Sequence, residues 1–308
     1  MEELHGMSFF IKAVESGSFT AAAEAMGISP SAVSKQISRL EDRLGVQLLN
    51  RTTRKLGLTE AGATFYERSA RIMQEVEEAE ALVTTLHKAP RGLLRVSAPM
   101  LLGQMHVAPA TAEFLTRYPE MRLELNFIDR TVDLIEEGID VALRLDELPD
   151  STMVARRLAP HRRVLCGSPA YFERRGVPKT PADLARHNCL TYGSGHPNRA
   201  WFFKDEKGRH PMEVHGTFQT NNAEALRQAV LGGLGIAMLP TFLVGSDLSA
   251  GLLRPILSDY VSADTVIYAV YPQHRHQSPK VRAYVDFMTE RFGPRPSWDE
   301  AAEKAAPA

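Results

Sequence analysis

The amino-acid sequence predicts a protein that is α/β overall, in three parts: a helical module closed by a β-hairpin, a long heptad-patterned helix, and a larger region of alternating strands and helices. Three observations predict this. A sharp helix start at Ser29-Pro30 leads into a polar helix face and a cationic hairpin pattern, apolar residues recur every seven positions from Phe65 to Leu86, and from Leu93 onward strand and helix periodicities alternate.

Composition bounds the reading. The 308 residues allow two or three domains, each with its own core. No run approaches the roughly 20 apolar residues of a membrane span, so a soluble chain without a membrane partner is expected. The start MEELHGMSFF puts acids before a short apolar run and lacks the basic start and cleavage site of a signal peptide, which points to the cytoplasm. Cys166 and Cys189 fit neither CxxC chemistry nor a zinc cluster and read as core residues. The net charge of -1 argues against a uniformly basic nucleic-acid binder, but it averages two opposed segments. From Ser29 to Leu58 six basic residues face two acids, a net of +4; from Thr59 to Lys88 three basic residues face six acids, a net of -3. A phosphate-binding surface belongs in the first segment.

Leu4, Met7, Phe10, Ile11 and Val14 describe an amphipathic first helix, ended by Ser16-Gly17. Ser18 caps a second, with Phe19, Ala22, Ala23 and Met26 on its apolar face and Gly27 supplying the turn. Ser29 at the N-cap and Pro30 at the first helical position start a third helix, running to Leu44. Val33, Ile37, Leu40 and Leu44 face its core, which leaves Ser31, Ser34, Lys35 and Ser38 along an exposed stripe. Short hydroxyls and one Lys let such a helix seat in a major groove, although the same stripe also reads as a solvated face. Beyond Gly45, Val46, Leu48 and Leu49, then Asn50-Arg51-Thr52-Thr53-Arg54-Lys55, then Leu56 and Leu58 describe a β-hairpin with a cationic tip. A basic tip beside such a helix is a wing suited to phosphates or a narrow minor groove, and the whole is a winged helix-turn-helix.

The run ISPSAVSKQISRLEDRLGVQLLNRTTRKLGLTEAG, Ile28 to Gly62, resembles the DNA-binding core of LysR-type transcriptional regulators, and the similarity extends to about Phe292. The resemblance puts Pro30, Ser31, Ser34 and Lys35 where recognition-helix residues meet DNA, and Arg51, Thr52 and Arg54 on the wing.

Phe65, Ile72, Ala79 and Leu86, with Ser69, Val76 and Val83 at the complementary position, predict a long helix with a pairing seam; the alternative is packing on its own domain. The resemblance makes this helix a dimerisation arm. Ala89 to Gly92, with Pro90, reads as a hinge.

Beyond it, Leu93–Ser97, Leu123–Ile128 and Val141–Leu145 read as strands, with helices at Met105–Tyr118 and Val132–Glu137 between them. The pattern returns in strands at Val164–Gly167, Leu190–Tyr192, Ile236–Leu239 and Val266–Tyr271, and in helices at Tyr171–Arg175, Ala223–Leu231 and Lys280–Phe292. Such alternation implies mostly parallel sheets. The resemblance divides the region into two lobes like a periplasmic solute-binding protein, with the ligand between them. The expected domains are 1–59, with the helix-turn-helix at 19–38; a linker helix at 60–89; an effector-binding domain at 92–292, its first lobe 92–162 plus 268–292 and its second 163–267; and a disordered tail, Pro- and Ala-rich, at 293–308.

Catalytic chemistry finds no purchase. Gly232, Gly233 and Gly235 lack the third glycine of GxGxxG, Gly193-Ser194-Gly195 is not a nucleophile elbow, and the ten histidines show no HExxH spacing, so no catalytic, metal or cofactor site is expected. Effector-binding candidates sit where strands end and helices begin: Pro99, Met100 and Leu101 after the first strand; Asp129, followed by Arg130 and Thr131; and Thr220 and Asn221, with Asn222, ahead of Ala223. Arg144 on its apolar strand suits either a carboxylate effector or an internal acid, Asp129 or Asp140. Where many members of the family carry a hydroxyl near the start of the first helix of this domain, this chain has Pro99 and Met100.

The expected function is a sequence-specific regulator of double-stranded operator or promoter DNA, acting as a homodimer or homotetramer, modulated by a small-molecule effector, and engaging RNA polymerase if it activates. A solute-binding α/β protein with an N-terminal oligomerisation module is the alternative, and an enzyme using the cleft is a third, disfavoured by the missing nucleophile, base and metal motifs.

Overall fold

A computed structural model describes residues 2–52, 55–84, 89–145, 153–193, 200–205, 208–261, 265–275 and 278–299. The chain forms two compact units, Met1–Lys88 and Ala89–Ala308.

The first unit strings α1 (Glu2–Ser16), α2 (Phe19–Met26) and α3 (Pro30–Leu44) ahead of the hairpin strands β1 (Leu49–Thr52) and β2 (Lys55–Leu58), then α4 (Glu60–Thr84). Ser18 caps α2 through the Ala21 amide, and Gly27, at φ 66°, closes that helix by donating to the Ala23 and Glu24 carbonyls. Ser29 caps α3 through the Ala32 amide at 3.3 Å, with Pro30 in the first turn. Phe10, Ala13, Ala22, Ala23, Val33, Ile37, Leu40, Leu48 and Leu49 close over a shared core. Leu44, expected in it, is 40% exposed instead, because the last residue of α3 projects past the helices it packs on. The hairpin pairs Leu49 with Leu58 and Thr52 with Lys55, so its tip, Arg54 included, lies outside the described residues.

Two features of this unit carry no periodicity signal. Glu41, counted from sequence among the acids of a basic segment, is buried, and its Oε1 accepts the Leu48 and Leu49 amides at 2.8 and 3.1 Å. It ties the end of α3 to the start of the hairpin. At the other end of the hairpin, the Thr59 hydroxyl donates to the Gln47 carbonyl at 2.8 Å and accepts the Gly62 amide at 2.9 Å. A Cβ on Gly62 would stand 1.9 Å from the Leu48 carbonyl oxygen, so only glycine lets α4 lie this close to the strand. Phe65 then packs tilted and Tyr66 edge-on against Phe10, at ring separations of 5.7 and 6.4 Å.

The second unit contains two five-stranded sheets and a hairpin. Its strands are β3 (Gly92–Ala98), β4 (Met121–Phe127), β5 (Val141–Leu145), β6 (Met153–Pro160), β7 (Arg163–Gly167), β8 (Cys189–Tyr192), β9 (Ala200–Asp205), β10 (Gly208–Glu213), β11 (Gln219–Thr220), β12 (Ile236–Pro240), β13 (Arg254–Pro255) and β14 (Val266–Pro272). The first sheet has the order β4-β3-β5-β14-β6 and the second β11-β8-β12-β7-β13, while β9 and β10 pair apart from both. The expectation of mostly parallel sheets is corrected here: β3 lies parallel to β4 and β5, and β8 to β11 and β12, but the remaining pairings are antiparallel. In the first sheet the antiparallel pairings are those of β14, which returns after the second sheet's strands without the crossover helix that parallel neighbours need.

Helices pack on both sheets. A continuous helical run begins with α5 (Met100–Leu102), passes through a π turn over Gly103–Val107 and a 3₁₀ turn over Ala108–Ala110, and ends as α6 (Thr111–Arg117). It starts five residues before the expected Met105, and Pro109 inside it, lacking an amide hydrogen, coincides with the irregular stretch. Further helices are α7 (Pro169–Arg175), α8 (Ala223–Leu231), α9 (Thr241–Ser249), which sequence reading missed, and α10 (Pro279–Phe292). The expected helix at Val132–Glu137 is only a turn, in which Asp133 Oδ1 accepts the Ile135 and Glu136 amides and Gly138, at φ 65°, ends the curl. The expected disordered tail is also corrected over 293–299. Trp298 packs 5.3 Å from the Phe292 ring and 4.2 Å from His106, and Asp299, 2% exposed, accepts the Thr241 hydroxyl. An indole and a partnered carboxylate can be buried where a Pro/Ala composition argues against it; residues 300–308 lie outside the described residues.

Candidate DNA interface and effector cleft

The α2–α3 turn and α3 present one outer face. Pro30 is exposed at the first turn, Ser31 and Lys35 are exposed on the side opposite Val33 and Ile37, and Ser34 is half-buried on the flank between. Ser29 Oγ lies 3.0 Å from Ser31 Oγ, so the first turn offers a pair of hydroxyls next to the helix start. Arg39 and Arg43 continue exposed along the same helix. Arg51 and Thr52 occupy the outer end of β1, one pair from the hairpin tip. Small hydroxyls and a lysine along one helix, ahead of a hairpin segment whose sequence is rich in Arg and Lys, are the chemistry that suits a groove of duplex DNA.

In the second unit a cleft of about 220 Å³ opens between the two sheets. Pro99, Met100, Leu101 and Asp129 line it from the first sheet, as the end-of-strand argument expects. Asp129 Oδ1 accepts the Met100 amide at 2.9 Å, which holds the start of the helical run against the loop after β4. From the second sheet come Tyr192, Met238 and Pro240, and from the helices packed on it Asn222 and Phe242. Asn222 caps α8 through the Ala225 amide at 3.0 Å.

Three candidates stand elsewhere. Thr220 and Asn221 are not among the lining residues; the Thr220 hydroxyl accepts the Asn222 amide at 3.2 Å and so shapes the turn that presents Asn222. Arg144 also lies off the cleft and donates to the Val132 carbonyl at 3.1 Å; its burial pulls the guanidinium pKa down, with Glu137 opposing. Neither acid proposed as its partner takes that role. Asp140, 2% exposed, accepts the Arg95 amide at 2.9 Å and Lys280 Nζ at 3.2 Å, and Asp129 serves Met100.

Tyr192 and Leu145 were legible in principle, because each ends a strand at the same edge of its sheet as the residues that were chosen. His161, Arg163 and Phe242 also line the cleft, but they come from the β6–β7 link, the start of β7 and a helix, with no motif to mark them. Among the described residues no group of three or more His, Cys, Asp or Glu is arranged to hold a metal, and burial raises both cysteine thiols to about 12.

Both units match known family patterns. Residues 4–63 match the model described as bacterial regulatory helix-turn-helix protein, lysR family, and residues 87–293 match the one described as LysR substrate binding domain. The chain belongs to the LysR family. It is a DNA-binding transcription regulator with an effector-binding domain. The HTH-type transcriptional regulator CrgA of Neisseria meningitidis serogroup C (strain 8013) is 39% identical over 288 residues, covering 93% of this chain and 96% of its own. The solved structure of CrgA matches with a TM-score of 0.61, covering 94% of this chain and 98% of that one. The full-length structure of AphB, a Vibrio cholerae virulence activator, is 30% identical with a TM-score of 0.56, covering 93% and 98%. The helix-turn-helix family match covers the segment singled out on charge and capping, and the substrate-binding match spans the cleft.

Proposed function

We propose that this regulator reads operator DNA with the outer face of α3, using Pro30, Ser31, Ser34 and Lys35, and grips the flanking backbone with Arg51, Thr52 and Arg54 of the hairpin. The observation that carries the reading is the exposure of that α3 face, small and polar, over a core formed by Val33, Ile37 and Leu40. Residues 1–59 form the DNA-binding domain, 60–89 the dimerisation arm and 92–292 the effector-binding domain, whose lobes are 92–162 plus 268–292 and 163–267. A cytoplasmic metabolite in the cleft alters the arrangement of paired DNA-binding modules in a dimer or tetramer. If the protein activates, that change is passed to RNA polymerase. The relatives' names support a regulator without enzymatic turnover, and no helix among the described residues is long and apolar enough to cross a membrane.

Genomic DNA that co-purifies with the full chain, once sequenced, supplies the operator for the test. Ser34→Ala should weaken operator binding more than binding to unrelated DNA, because base-edge contacts carry sequence information and phosphate contacts do not. Equal losses on both DNAs would remove Ser34 from the readout. Arg54→Ala should weaken both and lower the slope of log affinity against log salt by roughly 1; an unchanged slope would take the hairpin off the phosphates.

A further inference from the structure

Among the described residues the cleft is lined by one acid, Asp129, and its position bears on what the cleft can hold. Asp129 accepts the Met100 amide through Oδ1, at the start of the helical run that forms one wall. The amide that an anionic ligand would seek there is already held by an internal anion. Its second oxygen, Oδ2, makes no hydrogen bond among the described residues. Across the cleft stands Tyr192 at the end of β8, its phenol pKa raised first by burial and then by the charge of Asp129, with Arg163 opposing. Arg163, the lining cation, is exposed at the start of β7 and is already partnered. His161 is 2% exposed, and its backbone carbonyl takes the Thr265 hydroxyl. Between these groups the walls are apolar: Leu102, Leu226, Met238, Leu239 and Phe242.

We propose that the cleft selects a small uncharged ligand, an apolar body about one ring in size bearing a hydrogen-bond donor for Asp129 Oδ2, and that it rejects carboxylates. This rests on the reading of the cleft as the effector site. The volume of about 220 Å³ lies below the roughly 300–1,000 Å³ usual for drug-sized ligands, which sets the size. A ligand carboxylate bound there would face the carboxylate of the exposed Asp129; water screens the two charges in part, but like charges sharing one site still do not both ionise without cost. A neutral N–H or O–H meets the same oxygen as a charge-assisted hydrogen bond.

The test uses the full-length protein and three probes of one shape: benzamide, methyl benzoate and benzoate, titrated at millimolar concentration by ligand-observed NMR. Benzamide should bind, methyl benzoate more weakly for want of a donor, and benzoate at least about tenfold more weakly than benzamide. In Asp129→Asn the Met100 amide keeps an acceptor while the charge is gone, so the preference of benzamide over benzoate should shrink about tenfold. Ala223→Trp, which fills the cleft, should abolish binding of all three. Benzoate binding as tightly as benzamide, or an unchanged ratio in Asp129→Asn, with binding still lost in Ala223→Trp, overturns the ligand class and leaves the cleft as the site. Binding that survives Ala223→Trp, or no binding of any probe to the wild-type protein, overturns the cleft reading and this inference with it.

Discussion

At the scale of single residues, two positions in the first unit hold its geometry together and neither announces itself by hydrophobicity. Gly62 lies where a Cβ would overlap the Leu48 carbonyl at 1.9 Å, and the opposing atom is backbone, which cannot swing aside. Gly62→Ala should therefore destabilise the unit by about 1–3 kcal/mol, the usual range for overpacking, read as a lowered denaturation midpoint. A midpoint within error of wild type would mean that α4 does not approach β1 this closely. Glu41 works through polarity. Its carboxylate satisfies the buried Leu48 and Leu49 amides, so Glu41→Ala should cost about 2 kcal/mol and Glu41→Gln, which retains one acceptor oxygen, less. Because the hairpin hangs from those amides, Glu41→Ala should also weaken DNA binding without any change in surface charge near the groove. Equal stability of the Ala and Gln variants would argue that the carboxylate is not the tether.

Elements show where periodicity suffices and where it stops. The α3 start was legible to the residue, since Ser29 and Pro30 act through local backbone chemistry that no distant contact alters. The heptad in α4 is a different case. Its first apolar position, Phe65, packs on Phe10 within its own unit, Ser69 is buried, and Ile72 is 42% exposed. The part of this heptad left open for pairing therefore begins near Ile72 rather than at Phe65, and Ala79, Val83 and Leu86 lie beyond the side chains described. Ile72→Asp with Val76→Asp puts four like charges into a paired seam and should yield monomers in sedimentation. Persistence of the wild-type mass would move the dimer contact off α4. The hairpin of β9 and β10 escaped the sequence reading, as did α9. Trp201 and Phe203 face a core while Phe202 is exposed, yet Pro211 interrupts the partner strand, and in α9 nearly every residue is buried, which erases any amphipathic period.

At the scale of the effector-binding unit, His106 joins parts that are far apart in the chain. Its Nε2 donates to the Phe242 carbonyl at 3.0 Å, and its ring lies 4.2 Å from Trp298. Burial holds its pKa below the ordinary histidine value, the Phe242 bond opposes this, and Arg291 adds to the lowering. With the folded pKa depressed, the unfolded chain takes up the proton first as pH falls through about 6.5, so stability is lost on acidification and levels off only below the folded pKa. His187 is shifted the same way, again chiefly by burial. The melting temperature should thus be lower at about pH 5.5 than at about pH 7.5, and His106→Gln should narrow the difference. An unchanged difference in that variant would assign the acid sensitivity to other groups.

The same scale separates what the sequence by itself determined from what only the tertiary structure decided. Capping at Ser29, the α3 stripe, the hairpin and the alternating pattern of the second unit are encoded in residues a few positions apart, where backbone preference and the side-chain period act directly. So are the cleft residues Pro99, Met100, Leu101 and Asp129, because the ends of neighbouring strands converge whenever a sheet forms. Pairing direction, the burial of Trp298 and Asp299, the partners of Arg144 and Asp140, and the contribution of Tyr192, His161 and Phe242 to the cleft were not encoded locally. Most of these depend on segments that meet only once the chain has folded back, as when β14 and α10 return to the first sheet after about a hundred intervening residues. Such contacts are chosen by packing and by the need of buried polar groups for partners, quantities that a reading along one dimension does not contain.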